Sequence, residues 1–127
     1  MRCSLVKAAR EAAAMAYCPY SRFRVGAAVE CEDGGIVYGC NVENASYGLT
    51  ICAERNALFA AIAMGSVPVA IAVSCPDAPP DSPPSSRMPC GACRQVMAEF
   101  LPDDAPVYID GVGTMALGDL IPVAFRL

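Results

Sequence analysis

Apolar and small side chains recur at helical spacing through residues 4–17 (SLVKAAREAAAMAY), with Ser4 as a helix N-cap and Cys18-Pro19 as a stop. The periodicity then changes. Residues 23–31 and 35–40 are rich in β-formers, and Glu32-Asp33-Gly34-Gly35 between them supplies the turn chemistry of a hairpin. A second helix is predicted from residue 50 or 51 to 63, a strand over 67–74 and a third helix over 91–100. The last third reads as a strand over 105–110, a short one over 114–117 and a helical turn over 119–121, ahead of Pro122. Residues 76–89, dense in Pro, Asp and Ser, predict a surface loop. Residues 56–76 carry no charged side chain and are long enough to span a bilayer. Gly65, Ser66 and Pro68 interrupt them, however, so they read as a buried helix, a tight turn and a buried strand. Strands followed by helices predict an α/β fold, a mixed sheet with helices on its faces, in one domain over residues 1–127.

Composition sharpens this picture. At 55% hydrophobic residues in a 127-residue chain, either a large core or a buried subunit face must absorb the apolar excess. The net charge of −4 disfavours a phosphate backbone as partner. There is no histidine, which excludes the Ser-His-Asp triad, the Cys-His dyad and every histidine-ligated metal. Eight cysteines would suit a disulfide framework in a secreted chain. Against that, Arg2, Lys7 and Arg10 break the opening MRCSLVKAAR before a signal-peptide core can form. The expectation is therefore a cytoplasmic protein with free or metal-bound thiols and no membrane partner.

Two segments carry candidate chemistry: Cys52-Ala53-Glu54 and Pro89-Cys90-Gly91-Ala92-Cys93. Both open predicted helices, where unpaired backbone N–H groups and the helix dipole favour thiolates. Cys90 and Cys93, three residues apart, share one helix side and can grip one ion, with Cys52 as a third ligand. Three protein ligands leave a fourth position open, and Glu54 stands two residues from a ligand as a proton acceptor. Taken alone, the same residues fit blander roles: a CxxC can be a structural zinc half-site or a redox pair, and a helix-start Glu can simply favour the dipole. Cys75 is the one attractive fourth thiol for a structural site, while Cys3, Cys18, Cys31 and Cys40 read as small buried hydrophobes. The joint pattern is the Cys variant of the zinc-deaminase signature.

With these residues stand Tyr20-Ser21-Arg22-Phe23-Arg24-Val25-Gly26-Ala27-Ala28, the run GCNVENASYGLTICAER over 39–55, Pro89-Cys90-Gly91-Ala92-Cys93-Arg94-Gln95-Val96, Leu120-Ile121-Pro122 and Phe125. Together they resemble the small, zinc-dependent, homotetrameric cytidine deaminases over nearly the whole chain. The resemblance implies a three-layer α/β/α sandwich with a mixed sheet of about five strands. It also implies hydrolysis of cytidine and deoxycytidine to uridine nucleosides and ammonia in pyrimidine salvage. By the same resemblance Cys52, Cys90 and Cys93 hold one zinc per chain, Glu54 shuttles the proton and Arg55 withdraws charge from the thiolates. Asn41 and Glu43 would bind ribose hydroxyls, Ala45 would offer main-chain contacts to the base, and Tyr47 would contribute across a subunit boundary. Phe23 would pack on the pyrimidine, with Phe125 supplied by a neighbouring subunit. A carboxylate at Glu43 would repel a 5′-phosphate, which favours nucleosides. Two other readings remain: an aminohydrolase acting on a modified cytosine nucleoside such as an antibiotic, and a non-catalytic zinc-binding module, which the pairing of Glu54 with only three clustered ligands disfavours.

Overall fold

A computed structural model describes residues 2–127. In chain order it contains α1 (Arg2–Ala13), β1 (Gly26–Cys31), β2 (Ile36–Cys40), a 3₁₀ turn (Tyr47–Leu49), α2 (Ala53–Ala63) and β3 (Pro68–Ser74). These are followed by a second 3₁₀ turn (Pro84–Arg87), α3 (Gly91–Phe100), β4 (Pro106–Ile109), β5 (Gly113–Ala116) and α4 (Leu117–Leu120). The five strands form one sheet in the order β2-β1-β3-β4-β5. Only β3 and β4 run parallel; the other pairs are antiparallel.

Alternation along the strands sorts side chains between two cores. Ala28, Ala70 and Ala72 face α1, where they meet Leu5, Ala8 and Ala9. Ala27, Val29, Ile71, Val73, Val107 and Ile109 face the other way, toward Leu58 of α2 and Met97 of α3. Burial on both faces explains why β3 reads as an almost unbroken apolar run. The expected three layers are present, with α1 on one side of the sheet and α2 and α3 on the other.

Two glycines set the helix-to-sheet distances. A Cβ on Gly26 would lie 2.0 Å from the Ala9 carbonyl oxygen of α1, and one on Gly39 would lie 2.5 Å from the Ala53 carbonyl oxygen and the Ala57 nitrogen of α2. Both obstacles are backbone, so the helix itself would have to move. Gly39→Ala is expected to destabilise the fold by about 1–3 kcal/mol through overpacking. A thermal midpoint equal to the parent's would reject this close approach.

Element ends differ from the sequence expectation where tertiary pairing intervenes. Helix α1 already includes Ser4 and closes at Ala13, so Ser4 lies inside the first turn and is not an N-cap. Residues 14–16 leave the helix through shorter-range bonds, Ala14 N–H to Glu11 C=O among them, because Tyr17 is drawn into pairing beside Val42: its N–H donates to Asn41 C=O at 2.9 Å and its C=O accepts from Glu43 N–H at 2.8 Å. Ile51 is held in the same way by two 3.0 Å bonds with Val42, which delays α2 to Ala53. Ahead of β1, the Phe23 C=O and the Arg24 and Val25 N–H groups bond to side chains, and only the Val25 C=O pairs with backbone, accepting from Asn41 N–H, so the strand starts at Gly26. Among the described residues, no helix is long and apolar enough to cross a membrane.

Candidate active site

Helices α2 and α3 both begin beside the sheet edge where β2 and β3 end and β1 begins. Cys52 occupies the N-cap of α2, and Cys90 occupies that of α3, its sulfur accepting the Cys93 N–H at 3.5 Å. The Cys90 and Cys93 sulfurs lie 3.4 Å apart, those of Cys52 and Cys90 4.0 Å apart, and all three fall within 4.8 Å of one another. A tetrahedral zinc with Zn–S bonds near 2.3 Å calls for S···S distances of about 3.8 Å.

The charge state of the trio points the same way. Cys52 is drawn down to about 5, mainly by the hydrogen bond from Cys93 and also by Arg55, whose Nη2 sits 3.4 Å from its sulfur. Cys93 moves the other way, held protonated by its bond to Cys52 and by burial. Three sulfurs this close cannot all ionise without a compensating charge, and a divalent cation supplies it. The residues present therefore fit a zinc ion. Arg55 Nε is buried without a hydrogen-bond partner among the described residues, leaving this guanidinium directed at the sulfurs and not at a carboxylate.

A cavity of about 180 Å³ opens beside the trio. Cys52, Ala53, Glu54 and Cys90 line it from the helix starts, together with Phe23, Val25, Asn41 and Thr50, Val73 and Cys75 at the end of β3, and Ser86 and Met88 of the proline-rich loop. Glu54, only 4% exposed, is lifted to about 7 by burial, so a proton is readily gained and lost there. Burial pushes the Cys75 thiol up to about 12. Cys75 lines the cavity but stands outside the sulfur trio. A larger depression of about 480 Å³ lies beside α1, but there the charges are spent on each other: Arg10 and Asp110 form a bidentate pair, both bonds 2.7 Å.

The remaining sequence-predicted residues divide into three groups. Phe23 and Asn41 share the cavity with Glu54. The Asn41 amide accepts from Val25 N–H and donates to Phe23 C=O, each at 2.9 Å, which leaves one lone pair and one N–H for a further partner. Glu43 and Tyr47 line an adjoining pocket of about 350 Å³ that meets the cavity at Thr50. There Glu43 accepts from Tyr20 N–H (3.0 Å), Ser21 N–H (3.1 Å) and the Ser21 hydroxyl, and these bonds lower its pKa. Ala45 is exposed and lines neither pocket. Phe125 lines neither; it projects from the C-terminal segment with 71% of its surface exposed. Sequence reasoning did not find Thr50, Ser86 or Met88. Ser86 and Met88 sit in the proline-rich loop, where no periodicity marks a cavity-lining side chain.

The family model described as "Cytidine and deoxycytidylate deaminase zinc-binding region" matches residues 2–109. The chain belongs to this zinc-binding deaminase family. Among its deaminase relatives, the cytidine deaminase of Halalkalibacterium halodurans is 46% identical over 125 residues, covering 95% of this chain and 91% of the relative. The cytidine deaminase of Mycobacterium tuberculosis is 48% identical over 120 residues, 94% and 85% of the two chains. The crystal structure of cytidine deaminase from Burkholderia pseudomallei superimposes with a TM-score of 0.84 at 46% identity, covering 98% of this chain and 99% of that one. The five-stranded mixed sheet and its helices are thus those of deaminase crystal structures.

Proposed function

We propose that the protein is a zinc-dependent cytidine deaminase, a single domain over residues 1–127 that converts cytidine and deoxycytidine to uridine and deoxyuridine with release of ammonia. The observation that carries this reading is the convergence of Cys52, Cys90 and Cys93 beside a buried carboxylate, Glu54, in one cavity. Zinc held by the three sulfurs would polarise water and lower its pKa toward neutrality. Glu54 takes a proton from the attacking water and gives it to ring N3 as the O–C4 bond forms. It then carries a second proton to the amino group as the C4–N bond breaks, so water and cytidine leave as ammonia and uridine. Arg55 draws charge from the Cys52 sulfur and limits how far three thiolates weaken the metal as a Lewis acid. Phe23 packs against the flat base, Ala45 presents main-chain groups to it, and Asn41 and Glu43 receive the ribose hydroxyls.

The same reading makes the protein a cytoplasmic homotetramer of pyrimidine salvage, acting on a nucleoside and not on nucleic acid or at a membrane. None of the eight cysteines is joined in a disulfide, which suits a reducing compartment. Phe59 and Ile62 expose apolar surface on the outer side of α2, and Phe59 shares a groove with Val96 and Phe100 of α3. The C-terminal segment is fastened to α3 by Gln95 Nε2 to Phe125 C=O (3.0 Å) and Arg126 Nε to Ala98 C=O (3.0 Å), while Val123, Phe125 and Leu127 project outward. An ordered segment presenting apolar side chains suits a neighbouring subunit. Tyr47 lies 6.3 Å from Tyr20, ring to ring, at the same exposed rim.

The deciding assay offers purified protein cytidine, deoxycytidine, cytosine, deoxycytidylate and modified cytidines, followed by ultraviolet absorbance. Turnover of the first two is expected. Turnover of a modified cytidine alone moves the substrate assignment, and no turnover of any refutes the enzyme reading. For the shared pocket, mass in solution should be that of a tetramer, and Phe125→Ala should lower kcat/KM about tenfold, the worth of one stacked aromatic. A fully active monomer would reject the subunit-bridging role.

A further inference from the structure

The loop over residues 76–89 carries six prolines, none of which has an N–H to offer a neighbouring segment. Yet it builds one wall of the cavity: Cys75 precedes it, and Ser86, Met88 and Cys90 line the cavity at its far end. Much of its own hydrogen bonding turns back on itself. Ala78 N–H donates to Cys75 C=O and Ser82 N–H to Pro79 C=O, each at 3.0 Å, and Arg87 Nη2 donates to Pro79 C=O at 2.8 Å.

One carboxylate ties this loop to the segment that carries Phe23 and Val25. Asp77 Oδ2 accepts from Arg24 N–H at 2.8 Å and from Arg24 Nε at 3.0 Å, while Oδ1 accepts from Nη2 at 2.7 Å. Arg24 sits between Phe23 and Val25, both cavity residues. The bonds on either side, Ser21 Oγ accepting from Phe23 N–H at 3.0 Å and Asn41 holding Phe23 C=O and Val25 N–H, fix the segment to its own side of the cavity. They do not fix it to the loop. The Asp77–Arg24 fork does, and its planar two-point geometry with a third, backbone donor specifies direction as well as distance.

We propose that Asp77 is a positioning residue of the deaminase, holding the Phe23 wall and the proline-rich loop at the separation a flat pyrimidine requires. This rests on the deaminase reading of the site. The two side chains are 49% and 27% exposed, and exposed ion pairs contribute little to global stability, so loss of the clamp should appear in substrate binding and not in unfolding. Asp77→Ala should raise KM for cytidine about five- to twentyfold with kcat within about twofold, the signature of lost uniform binding. Asp77→Asn, which keeps one carbonyl acceptor, should fall between. Arg24→Gln should be milder than Asp77→Ala because the backbone N–H survives, and the double variant should match Asp77→Ala, since both changes remove one interaction. Arg10→Gln breaks a comparable bidentate pair on α1 and should leave KM unchanged. Amide exchange at Arg24, Asp77 and Ala78 should quicken in Asp77→Ala. An active parent whose KM stays within twofold in Asp77→Ala, or whose kcat and zinc content fall together there, overturns the clamp. A parent inactive on every cytosine nucleoside overturns the deaminase reading and this proposal with it, even where the exchange difference persists.

Discussion

Glu54→Gln is expected to lower kcat on cytidine by about a hundredfold to ten-thousandfold, the range for loss of a general acid–base group, while zinc stays near one per chain. The variant preserves size and shape, so the cavity keeps its form. What it loses is the ability to take up and release a proton, which the buried carboxyl does readily because desolvation places it near 7. Removing a charge from a position only 4% exposed relieves a desolvation cost, so the thermal midpoint should hold or rise. Turnover close to the parent's, with zinc intact, would remove Glu54 from the mechanism.

Cys93→Ala should strip zinc to below about a tenth of an equivalent and abolish turnover, because two remaining thiolates cannot hold the ion against competition. The midpoint should fall as well, since a ligand present at about a thousand times its dissociation constant stabilises the folded state by roughly 4 kcal/mol. Cys93 is fully buried, so part of any loss would come from the void. Cys90→Ser separates the two effects: Cys90 is exposed, and this near-isosteric change should still cost zinc and activity. Cys3→Ser, at another exposed thiol, should cost neither. Elemental analysis and thermal unfolding of the four proteins side by side provide the check, and a Cys90→Ser protein retaining a full equivalent of zinc would sink the three-sulfur site.

The sequence made the site's chemistry legible before its geometry. The absence of histidine left thiols and carboxylates as possible metal donors, and the spacing of Cys90 and Cys93 together with the Cys52-Glu54 pair pointed to the sulfurs. Secondary structure was legible where one periodicity ran undisturbed: α3 starts and ends at the predicted residues, and β3 ends as predicted and starts one residue later. It was less legible where side chains at a distance claimed the backbone, as at Tyr17, Phe23 and Ile51, because local propensity contains no term for the Asn41 amide or for pairing beside Val42. The second wall of the cavity was hidden for a related reason. Ser86 and Met88 line the cavity from an irregular proline-rich segment, which leaves no alternating or helical signature.

The one parallel pair among the five strands of the sheet, β3 with β4, has a consequence for the order in which the protein matures. Parallel neighbours cannot be joined by a tight hairpin, so the chain must travel through the proline-rich loop and α3 before β4 can dock. That same excursion brings Cys90 and Cys93 to Cys52, 38 residues earlier. Until α3 meets α2, the nascent chain offers an ion only the two adjacent sulfurs of Cys90 and Cys93, so three-sulfur coordination waits on a contact between segments 38 residues apart.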